Sequence, residues 1–159
     1  MIFPQMMRPR VSAMPTGARY WRLIITKTAG ATDYVSVSEW QLYSSGVVVS
    51  QSKSITANKP SYAALTPNNI VDGETYFNSS ASRWMVPVTN LPVTATIDLA
   101  GSFSIERIVL IGNTSVNALR VPKAFQIESS QDGASWGLIA DVANAGMTSG
   151  NGYTWELTL

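Results

Sequence analysis

The fold of this chain is decided by the stretch IERIVLIGNTSVNALRVPKAFQIESSQDGASWGLI, residues 105–139. It contains two segments, RIVLIGN (107–113) and KAFQIESSQ (123–131), that carry the β-branched and aromatic residues typical of a pleated, half-buried surface. The second segment runs into QDG (131–133), a turn signal in which glycine supplies a left-handed backbone. The stretch therefore predicts two β-strands, the second of which ends in a tight turn.

The rest of the chain repeats this pattern of short strands divided by turns. TATIDLA (94–100) and YTWELTL (153–159) alternate apolar with polar side chains, as strands with one buried face do. Three further segments have strand composition, namely YWRLIIT (20–26), YVSVSEWQLY (34–43) and GVVVSQS (46–52). The sequence shows no amphipathic pattern long enough for a helix of three turns. It therefore predicts an all-β protein, an antiparallel β-sandwich of the jelly-roll kind.

Composition argues against an enzyme. The 159 residues include no cysteine and no histidine. Disulfides, zinc–thiolate sites, thiol nucleophiles and a serine–histidine–acid triad are therefore excluded. The sequence also lacks a glycine-rich phosphate loop. We expect a non-enzymatic protein of one domain, because this length can bury a core without a disulfide.

The charge balance argues against nucleic acid and anionic membranes as partners. Lys and Arg total 11 against 10 for Asp and Glu, so the chain lacks the net positive charge that drives such binding. The opening residues also lack the continuous apolar stretch that a signal peptide or a membrane span requires. We expect neither nucleic-acid binding nor membrane insertion.

Residues 1–17 are predicted to form an extended arm ahead of a single domain at 18–159. Prolines at positions 4, 9 and 15 bar a helix, and nothing recurs with the period of a strand. The segment is either a solvated tail, as termini often are, or an arm that becomes ordered against a partner. The apolar residues of the segment favour the second interpretation, an arm that becomes ordered against a partner. The predicted partner-binding residues are Ile2, Phe3, Met6, Met7, Arg8 and Arg10.

The hydrophobic phase changes within YVSVSEWQLY (34–43). Val37 shares a face with Glu39, whereas Trp40 is apolar and out of phase with both. Either a β-bulge lies near Ser38, or Glu39 points inward at a group that satisfies it. A buried carboxylate needs such a partner.

Several short motifs together resemble a known family. IERIVLIGN (105–113) followed by FQIESSQDGASWGLI (125–139) resembles the central and late strands of the discoidin or coagulation-factor C-type domain, a galactose-binding-like jelly roll. The stretch NNIVDGETYFNSSASRW (68–84) resembles the Asp-Gly loop of that family. ARYWRLIIT (18–26) and VSVSEWQLY (35–43) resemble the strand pair that normally closes such domains, but here they come first. The resemblance therefore implies a circular permutation, which compact domains with adjacent termini tolerate.

The resemblance also implies a structural calcium ion. In the family, the loop that corresponds to 68–84 wraps calcium with carbonyl, carboxylate and hydroxyl oxygens, and a glutamate arrives from the closing strand pair. The implied ligands are Glu39, the carbonyl of Ile70, Asp72, Glu74 and Ser82. The alternative is an Asp-Gly turn followed by a solvated loop that Asx-type hydrogen bonds hold in shape.

Ligands of the family meet the loops at the end of the sandwich that carries the metal loop. Sugar sites combine an aromatic face with a few fixed polar groups. The loop residues of these types are Tyr62, Tyr76, Arg83, Asn113, Asn117 and Arg120. Galactose specificity is not expected, because the histidine common at the galactose sites of the family is missing. The five tryptophans are expected to fill the core instead: Trp21, Trp40, Trp84, Trp136 and Trp155.

The resemblance implies a non-catalytic module. Domains with this strand order resemble ones found in bacteriophage tail and virion proteins, and an apolar arm suits assembly into a particle. We therefore expect a structural protein of the virion, from tail or capsid and assembled in the host cytoplasm. It would contact other virion proteins through its arm, occur in several copies and bind host-surface carbohydrate. The alternative is an assembly or decoration protein that docks through its arm and binds no glycan.

Overall fold

The computed structural model describes residues 17–159 of the chain. These residues form ten β-strands and four short 3-10 turns, with no α-helix among them. The strands are β1 (Ala18–Thr28), β2 (Tyr34–Ser44), β3 (Val47–Val48), β4 (Ser54–Ala57), β5 (Trp84–Pro87), β6 (Val93–Phe103), β7 (Arg107–Gly112), β8 (Pro122–Ser130), β9 (Gly137–Val142) and β10 (Thr154–Thr158). The 3-10 turns are Pro67–Ile70, Val88–Asn90, Ala118–Arg120 and Ser149–Asn151. Over residues 17–159, no helix has the length and apolar composition needed to cross a bilayer.

The predicted arm lies outside the described residues except for Gly17. The six partner-binding residues predicted there are therefore not described: Ile2, Phe3, Met6, Met7, Arg8 and Arg10. The division into an arm and a domain stays a prediction.

The strands form two antiparallel sheets. Sheet A has the order β4-β6-β1-β8-β9, and sheet B has the order β10-β7-β2-β3 with β5 also paired to β2. β5 pairs with the first residues of β2 and β3 with the last, both on the edge away from β7. The all-β class and the antiparallel sandwich predicted from the sequence are confirmed.

The core lies between the sheets and is filled by alternate side chains of each strand. β6 shows the alternation that TATIDLA predicts, with four buried apolar residues separated by half-buried polar ones. These four are Val93, Ala95, Ile97 and Leu99. In β10, Trp155 and Leu157 pack against the core as the alternation of YTWELTL predicts. Burial of such apolar surface is the main stabilising contribution to the fold.

The tryptophans fill the core with one exception. Trp21, Trp40 and Trp84 are fully buried, and Trp155 packs on the core edge-on to Phe125. Trp136 does not belong to the core, so this prediction was wrong. It follows the turn after β8 and lies against the guanidinium of Arg22, 4.1 Å from the ring centroid, in a cation–π contact.

The alternation patterns in the sequence failed to predict three strands, β4, β5 and β9, and predicted too long a segment for β3. β4 and β5 have four residues each, too few to show a period, and β9 contains Gly and Asp, which strands disfavour. The segment GVVVSQS (46–52) was predicted to be one strand, but only Val47–Val48 pairs with β2. The buried hydroxyl of Ser50 then replaces the ladder, because it accepts from the Leu42 N–H at 3.0 Å and donates to the Trp40 carbonyl at 3.2 Å.

β2 contains both a β-bulge and a buried carboxylate. The change of hydrophobic phase in YVSVSEWQLY had predicted one or the other. Its register with β7 shifts between Val37 and Glu39, so Ser38 is the extra residue. Trp40 faces the core, and Glu39 therefore lies on the outer face of sheet B. Glu39 is nonetheless fully buried. The sequence pattern offered a Glu39 that points inward, and this direction is wrong. The side chain points away from the core and is buried by the loops that cover the outer face.

The two ends of the sandwich differ. Ala18 pairs with Phe103, and the Leu159 N–H donates to the Glu106 carbonyl at 2.8 Å, so the described chain starts and finishes beside the β6–β7 connection. The long loops cluster at the other end, where the Ala29 N–H donates to the Val121 carbonyl at 2.9 Å. We call this second end the loop end. The 11 residues of β1 separate the two ends by about 35 Å.

Removing core volume should destabilise the protein in proportion to burial. Leu110→Ala in β7 deletes a side chain that is fully buried between the sheets, so we expect a loss of about 2–5 kcal/mol in the free energy of unfolding. The matched control Leu119→Ala removes the same atoms from a half-exposed position and should cost less than about 1 kcal/mol. Urea denaturation measures both. Equal losses would contradict the placement of the core.

Candidate functional site

Two loops cover the outer face of sheet B beside the first half of β2. We call residues 71–83 the Asp72 loop and residues 113–121 the Asn113 loop. Beneath them, Ser36 and Ser38 are buried together with Glu39. The Ser38 hydroxyl donates to the carbonyl of Tyr76 at 3.0 Å, which fastens the Asp72 loop to the strand. The floor of the site is therefore polar, unlike the core on the other face of the same sheet.

The Asp72 loop starts from a buried anchor and turns sharply. The 3-10 turn Pro67–Ile70 ends in Ile70, whose side chain is fully buried. A carboxylate oxygen of Asp72 then accepts the Glu74 N–H at 2.8 Å, which is an Asx turn. Gly73 between them has a φ of 90°, a left-handed conformation that side chains other than glycine rarely adopt. The Asp-Gly-Glu sequence thus forms the turn that its composition predicts.

Glu39 is the group around which this loop closes. Its Oε1 accepts the Gly73 N–H at 3.2 Å, whereas its Oε2 is buried and has no hydrogen-bond partner among the described residues. Burial, together with the nearby charges of Asp72 and Glu74, raises the pKa of Glu39 to about 9 against the opposing effect of the hydrogen bond from the Gly73 N–H. Without a cation, Glu39 is therefore protonated near neutral pH.

The structure brings the other predicted calcium ligands into the same loop. Asp72 accepts a hydrogen bond from the Ser82 hydroxyl, which also lies 3.3 Å from the Asn69 carbonyl. Glu74 accepts the Tyr76 N–H at 3.4 Å. Within residues 17–159, however, no group of three or more His, Cys, Asp or Glu side chains is arranged to hold a metal ion. A cation bound here would have to complete its shell with carbonyl, hydroxyl and water oxygens, as calcium does.

Asn113 fastens the two loops to each other. Its Nδ2 donates to the Ser38 hydroxyl at 3.0 Å and to the Ser79 carbonyl at 2.8 Å. Its Oδ1 accepts the N–H of Ser115 at 3.1 Å and the hydroxyl of the same residue at 2.8 Å. Both donors and both lone pairs of Asn113 are thereby used within the fold. This predicted ligand residue is fully committed to holding the site together.

Arg83 lies between the two loops with only 8% of its surface exposed. One terminal nitrogen donates to the Ser115 hydroxyl and lies 3.5 Å from the Ser79 carbonyl. Its Nε is buried and finds no hydrogen-bond partner in the part of the chain that the structure describes. Burial lowers the pKa of Arg83, and the charge of the neighbouring Arg120 lowers it further. The guanidinium is thus positioned by neutral groups and destabilised by a like charge.

Arg120 is equally buried but is paired. Its guanidinium forms a two-pronged ion pair with the carboxylate of Asp33, with the Nε–Oδ1 distance at 3.2 Å. It also lies 5.1 Å from the ring centroid of Tyr34 and 3.8 Å from the sulfur of Met85. The guanidinium of Arg120 lowers the pKa of Asp33 to about 2. This pair holds the β1–β2 connection against the Asn113 loop.

The aromatic candidates lie on the rim. Tyr76 in the Asp72 loop is 69% exposed and Tyr62 is 47% exposed. The Tyr62 ring packs edge-on against Tyr34 at 5.0 Å, and Tyr34 in turn contacts Arg120. Asn117 instead accepts the Leu119 N–H at 2.9 Å and caps the 3-10 turn that carries Arg120. The structure therefore groups Arg83, Arg120 and Asn113 closely, with the tyrosines around them.

Sequence reasoning missed several residues that position this site. Ser79 and Ser115 hold Arg83, and Asp33 pairs with Arg120 across 87 positions of sequence. A single serine in a polar loop carries no signal of such a contact. No local pattern in the sequence links Asp33 to Arg120 either, because the two residues lie far apart along the chain.

The comparisons with known proteins agree with this architecture. A sequence model of the F5/8 type C domain matches residues 50–158, which span β4 to β10 and include both loops. Neither the curated proteins nor the solved structures provide a significant match to the chain. F5/8 type C domains are non-catalytic modules that typically bind carbohydrate or other ligands. Because the match covers more than half of the sequence and coincides with the observed sandwich, this chain belongs to the F5/8 type C domain family.

Proposed function

We propose that this protein is a non-catalytic structural module of a bacteriophage virion, in the tail or as a capsid decoration, that binds host-surface carbohydrate through its loop end. The observation that carries the proposal is the separation of the two ends. The residues with sugar-binding chemistry gather at the loop end, whereas Gly17, where the predicted arm joins, lies at the other. An arm docked on a particle would therefore leave the loops facing outward.

The loop end has the composition of a weak carbohydrate site. Exposed tyrosine rings present faces for the C–H groups of a sugar, and the arginines beneath them offer hydrogen-bond donors that the fold holds in place. Tyr76 is the most exposed of the aromatic candidates, and Arg83 lies in the loop that carries it. Several copies in one particle would raise the avidity of such a site for a cell surface.

The strand order supports a circular permutation. The family match starts at residue 50, after β1 and β2, although β1 lies in the middle of sheet A between β6 and β8. The two ends of the described chain meet beside the β6–β7 connection, so moving the first strand pair from one terminus to the other requires little rearrangement. The resemblance of this order to phage virion proteins supports the assignment to a particle.

A purely structural role, without a glycan ligand, is favoured by the way in which two predicted ligand residues are used inside the fold. Asn113 uses all its hydrogen-bonding capacity inside the fold, and Asn117 caps a 3-10 turn. If the remaining candidates also serve only the fold, the protein acts purely in assembly or decoration. It would then dock through residues 1–17 and bind no glycan.

We propose that a structural calcium ion binds beneath the Asp72 loop. Glu39 has a buried oxygen without a partner, and the charges of Asp72 and Glu74 lie close enough to raise its pKa. The ion would be held by Glu39 and Asp72, with Glu74, the hydroxyl of Ser82 and the carbonyl of Ile70 as further oxygen donors. Bound there, calcium would neutralise Glu39 and fix the shape of the loop.

The stability of the calcium-free protein is expected to fall as the pH rises from 4.5 to about 9. In this window Glu39 is protonated in the folded protein but ionised in the unfolded chain, so the folded state binds more protons and loses stability with increasing pH. Glu39→Gln removes this titration and should flatten the change in Tm between about pH 5 and about pH 8. Thermal unfolding in excess chelator measures it. Glu156→Gln, which alters an exposed carboxylate, should retain the fall.

Calcium is expected to stabilise the protein most at the upper end of this window. The ion binds the ionised form of Glu39, so an excess of calcium over chelator should raise the Tm by about 3 °C or more near pH 8 and by less near pH 5. Glu39→Gln and Asp72→Asn should lose the response. A wild-type Tm that is equal in calcium and in chelator would leave the Asx hydrogen bonds as the sole support of the loop.

Deletion of residues 1–15 and substitution at the loop end should separate assembly from recognition. The deletion is expected to abolish incorporation into particles and to leave glycan-array binding of the purified protein unchanged. Tyr76→Ala should weaken array binding about tenfold, because aromatic stacking on the sugar is lost. The control Val47→Ala removes an exposed side chain at the β2–β3 turn and should have neither effect. Folded wild-type protein that binds no glycan would favour the pure assembly role.

A further inference from the structure

The guanidinium of Arg83 has no counter-ion among the described residues 17–159. The described residues form four ion pairs, and Arg83 belongs to none of them. All ten Asp and Glu residues of the sequence lie between positions 33 and 156, so every acidic side chain of these 159 residues is within the described part. The hydrogen-bond partners of Arg83 are neutral, namely the Ser115 hydroxyl and the Ser79 carbonyl.

The residues before Gly17 cannot neutralise Arg83 with a side chain. That segment contains Arg8 and Arg10 but neither Asp nor Glu. The carboxylate of Leu159 also lies far away, beside Glu106 at the end opposite the loops. An anion for Arg83 must therefore come from outside these 159 residues.

The local charge balance defines the anion. A buried charge is costly unless it is paired, and a second cation nearby increases that cost. Arg120 supplies the second cation, but Asp33 already neutralises it. Of the two buried guanidinium groups, only that of Arg83 is therefore left without an ion pair. Its single charge matches an anion of charge minus one better than a dianionic phosphate, which Asp33 and the carboxylates of Asp72 and Glu74 in the loops would repel.

We propose that Arg83 binds the carboxylate of an acidic sugar, so that the glycan recognised by the loop end is a uronic or sialic acid. This inference rests on the carbohydrate binding proposed above and specifies its ligand. The planar guanidinium fork matches a carboxylate, and within the described residues its second terminal nitrogen, Nη2, makes no hydrogen bond and is not among the buried unpartnered atoms, so it is the donor that an outside carboxylate can reach. Contacts to Ser79 and Ser115 hold the fork in place, and Tyr76 on the same loop offers an aromatic face to the sugar ring.

The test compares sugars that differ only in one charged group. We expect the intact protein to bind methyl β-glucuronide at least about tenfold more tightly than methyl β-glucoside, measured by ligand-observed NMR or calorimetry. N-acetylneuraminic acid serves as a second carboxylate probe and glucose 6-sulfate as a non-carboxylate monoanion. Sodium acetate should compete with the acidic sugar on the wild-type protein more strongly than sodium chloride at the same ionic strength.

Variants assign the preference to one side chain. Arg83→Gln should lose the preference for the acidic sugar, and Arg83→Lys should retain only part of it because the charge remains but the fork is gone. Arg107→Gln lowers the net charge equally at the opposite end and should keep the preference.

The outcomes distinguish a failure of the carboxylate assignment from a failure of the proposed carbohydrate binding. Equal binding of glucuronide and glucoside, or binding of the sulfate but of neither carboxylate probe, overturns the carboxylate assignment and leaves carbohydrate binding in place. Folded protein that binds no sugar, acidic or neutral, overturns both. The acetate competition requires no variant, so it tests the carboxylate even if Arg83→Gln fails to fold.

Discussion

The loop end of this protein is organised around a carboxylate sealed away from water. Glu39 lies in the middle of sheet B, on the face opposite the core, and the Asp72 loop closes over it. A lone ionised carboxylate cannot remain in such a place, so it must hold a proton or face a cation. The same cover buries Ser38, which ties the loop to β2, and brings the loop against Asn113. The position of the proposed ligand site thus follows from the need to enclose one acidic group.

The two buried arginines show how similar residues can serve different purposes. Arg120 is paired with Asp33, contacts Tyr34 and joins the β1–β2 connection to the Asn113 loop, so its charge is used within the fold. Arg83 is buried to the same extent, but its partners within residues 17–159 are all neutral. A buried ion pair with good geometry can be close to neutral in energy, whereas an unpaired buried charge is a cost that a ligand can relieve.

Much of the fold could be predicted from the sequence because alternation reports directly on burial. β6 and β10 follow the patterns of TATIDLA and YTWELTL, and the phase change in β2 located both the bulge and Glu39. β4 and β5 were missed because four residues do not establish a period. Trp136 was misplaced because a large aromatic residue beside a strand can cover an outer face as readily as a core.

The candidate site was less predictable than the fold. Its chemistry-bearing residues were identified from their types and from a family resemblance, but the contacts that set their roles link distant positions, such as Arg83 with Ser115 and Arg120 with Asp33. No local pattern encodes such pairs. Whether an arginine is neutralised by its own chain is a property of the assembled structure, and that property separates the two arginines here.

The closeness of Gly17 and Leu159 has a consequence for how such a domain can be used. Both lie beside the β6–β7 connection, at the end of β1 opposite its connection to β2, so a segment joined at either position would leave the loop end unobstructed. The domain can therefore be inserted into a surface turn of a host protein, because the two positions at which it would be joined, Gly17 and Leu159, lie side by side. Its loop end would then project from the host protein by about the length of one strand.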